Sequence, residues 1–184
     1  MAEKPIILRK RMSRGRKLSR GLSAPKEIGK NRSEAPEPGL STYYEKVFPA
    51  KVSALWDVQD FVGALLDPYD CPMDVRMQID VAVEEMFVNV AQYAYPRGSG
   101  TASVTLGFRG TDPETMVFIL KDSGIPFDPT RRKDPDVTEG AEKRRIGGLG
   151  IFMVKKTMDR MAYRYENGQN VLILEKVLKS SRAV

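Results

Sequence analysis

The sequence predicts an α+β domain: a two-layer α/β sandwich in which a mixed, mostly antiparallel sheet carries its helices on one face. Three observations lead there. Strand-like and helix-like segments follow one another in the order β-α-α-β-β-α-β-β, which layers helices against a sheet. Two pairs of β-rich runs are separated only by short, turn-rich stretches, as in hairpins. The chain has 184 residues, 41% of them hydrophobic, which is enough apolar material for a single packed core.

The opening strand is expected in TYYEKVFPAK, from Thr42 onward. The run from Val52 to Leu66 then spaces Leu55, Val58, Phe61, Val62 and Leu65 at helical intervals. Pro72 and Asp74 mark the start of a second and longer helix. It continues from Val75 to Tyr95 without a breaker, until the turn cluster of Pro96, Gly98 and Gly100. ASVTLGF and TMVFILKD, separated by GTDPE, form the first hairpin and end at Asp122. The polar stretch DPTRRKDPDVTEGAEKRR reads as a loop. Glycines then open a third helix in IGGLGIFMVKKTMD, and MAYRYENGQNVLILEKVL supplies two strands joined at Glu166 to Asn170. No internal repeat is evident.

Residues 1 to 42 differ in texture. They hold 11 Lys/Arg against 4 Asp/Glu, a charge of +7 beside a net +6 for the whole chain. With few large hydrophobes, this segment cannot offset the entropy of ordering and reads as a basic, disordered arm. The folded domain is expected over residues 43 to 184.

Composition also excludes chemistry. There is no histidine to act as metal ligand, general base or phosphoacceptor, and the single cysteine, Cys71, leaves no internal disulfide. No apolar run approaches the roughly 18 residues that would span a bilayer. The N-terminus is charged, with no following apolar region of a signal peptide, so a reducing cytoplasm is the expected address.

Three short segments carry chemical potential. In VAVEEMFVNVAQYAY the polar exceptions are Glu84, Glu85, Asn89 and Gln92, and Glu85 and Asn89 lie four apart on one helical face. Polar groups in an apolar helix need partners, which a hydrated divalent cation with phosphate oxygens would supply; a capping or surface pair is the plainer alternative. Asp122-Ser123-Gly124-Ile125-Pro126-Phe127-Asp128-Pro129 follows a strand end. An aspartate there can accept a hydrogen bond from an adenine amino group, where guanine presents a carbonyl, and the glycine lets a base approach the backbone. Alone, Asp-x-Gly is also a common turn. Gly147-Gly148-Leu149-Gly150 runs into Ile151, Phe152, Met153 and Val154, so free amides and a positive helix end meet any phosphate placed there. No GK[ST] follows, and the glycines do not come after the first strand of a βαβ unit, so neither a Walker-type phosphate loop nor a dinucleotide fingerprint fits.

In this order, E-x-x-x-N on a long helix, D-x-G-x-P-F-D-P after a strand and G-G-L-G-I-F-M-V on a later helix resemble the N, G1 and G2 boxes of the ATPase superfamily shared by gyrase, histidine kinases and MutL-type repair proteins, the Bergerat or histidine-kinase-like ATPase fold. Within it, AVEEMFVNVAQYAYP and GGLGIFMVKKTMD look most like the anti-sigma-factor serine/threonine kinases of bacterial partner-switching systems. The resemblance covers about residues 43 to 179.

What it implies is specific. Glu85 would be the general base, Asn89 would ligate Mg2+, Asp122 and Gly124 would hold the adenine of ATP, and Gly147, Gly148, Leu149 and Gly150 would meet its phosphates. Thr130 to Ile146 would be a lid, from which Arg144 or Arg145 neutralises γ-phosphate charge; a solvated basic face is the alternative for these arginines. The substrate would be a serine or threonine on a small anti-sigma-factor antagonist. A sigma factor would be a second partner and the protein a homodimer. Many relatives carry a histidine four residues after the asparagine, where this chain has Tyr93, which would either pack or alter the metal shell. A complete sensor histidine kinase is excluded by the lack of histidine. A non-catalytic module in which ATP only shapes a partner surface stays open. Nucleic-acid binding through the arm is a weaker third reading, because the arm lacks interleaved aromatics and a solvated or partner-docking tail fits it better.

Overall fold

The computed structural model describes residues 37–110, 115–134 and 149–178. Its elements are β1 (Thr42–Pro49), α1 (Leu55–Leu66), α2 (Met73–Asn89), β2 (Thr101–Arg109), β3 (Thr115–Asp122), α3 (Leu149–Thr157), β4 (Arg160–Glu166) and β5 (Gln169–Val177). This is the order expected from the sequence. The five strands form one sheet, β1-β2-β3-β5-β4, and the mixed sheet expected becomes antiparallel at every pairing. Hairpins explain the β2–β3 and β4–β5 pairs. The α1–α2 excursion brings β2 back antiparallel beside β1; after β3 the α3 excursion delivers the edge strand β4, which runs parallel to β3, and the hairpin then lays β5 antiparallel between them.

All three helices lie on one face. Alternation puts Val104, Leu106, Phe118, Leu120 and Leu174 on that face, where they pack with Val58 and Val62 of α1, Ile79 and Phe87 of α2, and Val154 of α3. A smaller cluster, Val117, Ile119, Val171 and Ile173, lies on the other face against Leu40 and Ala162. Leu40 belongs to the segment read as arm. Packing therefore begins before residue 42: Glu37 is buried and pairs with Arg164 of β4 at 2.5 Å, and the Ser41 amide donates to the Phe108 carbonyl at 2.8 Å. Residues 1–36 lie outside the described part.

Two local features position the site. At the β4–β5 turn, Asn167 and Gly168 take φ of 52° and 76°, the left-handed pair that joins strands with two residues, so β5 begins one residue before Asn170. The second is the end of α2. The single long helix expected to Tyr95 is α-helical only to Asn89, and Val90–Ala94 widens into a π-turn. Among the described residues no helix is long and apolar enough to cross a membrane.

Candidate functional site

A cleft of about 580 Å³ opens between α2, the loop after β3 and the start of α3. Glu85, Asn89, Asp122, Leu149 and Gly150 all line it, although they are spread over 66 positions of sequence. Four further expected residues, Arg144, Arg145, Gly147 and Gly148, and the lid beyond Asp134, lie outside the described residues.

At the end of α2, Glu85 and Asn89 face the cleft one helical turn apart, as their spacing requires, while Glu84 points outward and accepts a 3.5 Å bond from Gln59. Gly150, in the first turn of α3, is what lets α3 approach. A Cβ built there would fall 1.8 Å from Glu85 Oε2. The carboxylate thus lies against bare backbone at the positive end of α3, and its place is set by the absence of a side chain. Because Glu85 is the flexible partner, Gly150→Ala is expected to leave thermal stability unchanged or slightly higher, alanine being worth up to about 1 kcal/mol over glycine in a helix. The displaced carboxylate should slow any reaction it assists by roughly a hundredfold. A melting curve and a turnover assay on the same preparation read both effects.

The opposite end of the cleft is a hydrogen-bonded lock. Asp122 ends β3 and Asn170 opens β5, directly across the ladder from it; both are buried. Asp122 Oδ1 accepts from the Gly124 amide at 2.8 Å and from Asn170 Nδ2 at 2.9 Å. Asn170 Nδ2 also donates to the Ile125 carbonyl at 3.2 Å, and its Oδ1 accepts from the Phe127 amide at 3.1 Å and the Tyr163 hydroxyl at 2.7 Å. One carboxamide therefore ties the whole Asp-x-Gly-x-Pro-Phe loop to the sheet. With both described bonds on Oδ1, Oδ2 of Asp122 is left to accept from a ligand.

Gly124 is not among the residues that line the cleft. Its missing Cβ would fall 2.4 Å from the Ala94 carbonyl oxygen, so the glycine serves the close approach of the loop to the π-turn, where the Ile125 amide donates to that same oxygen at 2.9 Å. Tyr95 completes the junction: its hydroxyl accepts from the Ser123 amide at 2.9 Å and donates to the Thr101 carbonyl at 3.0 Å. Burial pushes this phenol up, the Ser123 amide pulls it partly back and the Asp122 carboxylate adds to the rise. The Tyr163 phenol is raised as well, first by burial and then by Asp128. Both stay protonated, and so remain donors, throughout the neutral range.

Beyond the lock, Asp128 caps a short 3-10 turn by accepting from the Thr130 amide at 2.9 Å. Lys155 of α3 donates to the Arg132 carbonyl at 2.5 Å and pairs with Asp134 at 3.6 Å, so the start of the polar loop is fastened to α3. Tyr93 sits on the π-turn, mostly exposed along the cleft, and does not pack into the core.

Asn170, Tyr163 and Tyr95 were missed from the sequence. Asn170 had a signal: in the alternation of β5 it shares the helix-facing register of Leu172 and Leu174, where a polar residue must find partners.

The donor set constrains a metal. Among the described residues no group of three or more His, Cys, Asp or Glu is placed to hold a cation. Asn89, a neutral oxygen donor beside Glu85, fits a magnesium ion that keeps waters and takes its other ligands from phosphates.

The chain is 31% identical over 99 residues to the serine-protein kinase RsbW of Listeria monocytogenes, covering 52% of this chain and 62% of the relative. It is 26% identical over 100 residues to the serine/threonine-protein kinase BtrW of Bordetella bronchiseptica, covering 54% and 69%. With RsbW of Bacillus cereus the identity is 24% over 137 residues, covering 71% and 84%. The chain thus spans about 62% of the length of the Listeria relatives that it matches. Residues 48–176, which contain the whole described cleft, match the model of the histidine kinase-like ATPase domain. With its acidic helix, strand-end aspartate and helix-opening glycine converging on one cleft, the chain belongs to the family of histidine kinase-like ATPase domains.

Proposed function

We propose that this protein is an ATP-dependent serine/threonine protein kinase that acts on a small anti-sigma-factor antagonist and binds and inhibits a sigma factor. The observation that carries the reading is the contact of Glu85 with Gly150. It sets a carboxylate, at the mouth of a cleft, against the helix end where phosphates are expected. The names of the relatives support the kinase assignment.

In this reading Asp122 Oδ2 accepts from the adenine amino group, and the lock around Asn170 holds that oxygen in place. The amides at Leu149 and Gly150 face the phosphates, and Gly147, Gly148, Arg144 and Arg145 join them. Asn89 holds one position of a magnesium ion, which neutralises phosphate charge when bound. The hydroxyl of the substrate serine or threonine gives its proton to Glu85 as its oxygen bonds to the γ-phosphorus, the bond to the β-bridging oxygen breaks, and ADP leaves. Positioning and charge supply the catalysis, so no covalent enzyme intermediate is required. A homodimer and a cytoplasmic address belong to the same reading.

The test begins with calorimetry of ATP, GTP and ADP, with and without magnesium, followed by incubation with a purified antagonist and radiolabelled ATP. Adenine-selective binding strengthened by magnesium, with label moving to the antagonist, is the expected result. Binding without transfer to any antagonist that the protein retains leaves an ATP-gated binding module instead. Absence of binding removes the reading.

A further inference from the structure

A second groove, of about 550 Å³, runs between α1 and α2 and shares no lining residue with the nucleotide cleft. One wall is Trp56, 74% exposed and the only tryptophan of the chain. Asp60, Asp67 and Asp80 line it with a single cation, Arg76. Arg76 lies across α1 because Gly63 has no side chain; a Cβ there would sit 2.9 Å from Nη2. Its pairs to Asp67 and Asp80 are long, 3.4 and 3.5 Å, and Asp60 has no ion pair among the described residues. Met73 and Met77, on the same side of α2, are 75% and 61% exposed. The groove thus combines an open aromatic face with carboxylates that one arginine does not balance, and two exposed methionines stand on the neighbouring turns of α2. Across residues 51–89 there are 8 Asp/Glu and 2 Lys/Arg.

The chain holds a segment of the opposite character. Residues 1–36 carry 11 Lys/Arg and 3 Asp/Glu, with Met12, Leu18 and Leu22 set among the basic residues. The following residue, Glu37, is fastened to β4 through Arg164. Thirty-six residues can span up to about 120 Å when extended, several times the roughly 15 Å radius of a domain of this size, so the groove is within reach of that anchor.

We propose that the basic segment 1–36 docks in the Trp56 groove of its own chain, with guanidinium groups over the indole and against Asp60, Asp67 and Asp80, and the apolar side chains among them toward the exposed Met73 and Met77. Arginine suits both halves of such a site, since its flat cation stacks on aromatic faces and pairs with carboxylates. The groove then carries an internal ligand that any basic partner must displace.

Because Trp56 is unique, its emission and its quenching by acrylamide read the groove in the full chain without a label. Salt is raised from about 20 mM to about 500 mM, shrinking the screening length from roughly 20 Å to roughly 4 Å. In the wild type the emission should shift and quenching should increase in one step, independent of protein concentration. Two full-length variants, R14Q/R16Q/K17Q/R20Q in the segment and D60N/D67N in the groove, should show the high-salt values already at low salt. Unchanged circular dichroism would establish that both are folded. Identical quenching of wild type and segment variant at every salt overturns the proposal. A step that grows with protein concentration assigns the groove to the segment of a second copy, and one that appears only when DNA is added assigns the segment to nucleic acid; either also overturns it.

Discussion

Glu85→Gln should lower phosphoryl transfer by about 10² to 10⁴-fold, the range of a positioned general base, while ATP affinity stays near that of the wild type. The carboxamide has the shape of the carboxylate and still fits against Gly150, so neither α3 nor the cleft needs to move. What is lost is a group able to take the hydroxyl proton as the new bond forms. Single-turnover transfer to the antagonist and nucleotide calorimetry, run on both proteins, separate the two quantities. Equal transfer rates would remove Glu85 from the chemistry. Weakened binding in step with the loss of transfer would make Glu85 a nucleotide ligand instead.

Asp122→Asn should invert the base preference rather than merely weaken it. The Gly124 amide and Asn170 Nδ2 both donate to Oδ1, so the substituted side chain must turn its carbonyl toward them and its amide nitrogen toward the cleft. An adenine amino group then meets a donor, whereas the guanine carbonyl meets a partner. Losing a hydrogen bond to a charged acceptor costs about 1.5–3 kcal/mol, roughly ten- to a hundredfold in Kd for ATP. GTP should lose nothing or gain. Asp122→Ala, by contrast, strands two donors that the lock holds inside the protein and should lower stability by about 1–3 kcal/mol along with ATP affinity. Equal losses for ATP and GTP in the asparagine variant would place the base elsewhere.

Much of this site was legible because its parts are local. Glu85 and Asn89 share a face by helical spacing, and a glycine cluster before an apolar helical run marks the start of α3 whatever surrounds it. The eight elements were readable for the same reason, since period and turn residues are short-range signals. Three features needed the third dimension. The close approach that demands Gly124 is to Ala94, thirty positions away on a π-turn that no pattern in VAQYA announces. The antiparallel pairing of β3 and β5 depends on α3 carrying the chain past β3 to the edge strand β4, from which the hairpin folds β5 back between them. The Asn170 lock depends in turn on that pairing. Its only trace in the sequence is a polar residue in an otherwise apolar register, a rule about burial that names no partner.

Asp122 and Asn170 face each other across the ladder, yet 48 positions of chain separate them. The Asp122 end of the cleft is therefore complete once two strands have zipped, while the chain between them, with α3 and the edge strand β4, is a detour from that pairing. Lengthening such a detour is cheap, about 0.6 kcal/mol for each doubling of a flexible loop. The chain between β3 and α3 can thus lengthen or shorten without disturbing the Asp122–Asn170 pair. In the proposed kinase, recognition of the base and handling of the γ-phosphate would then be free to change at different rates.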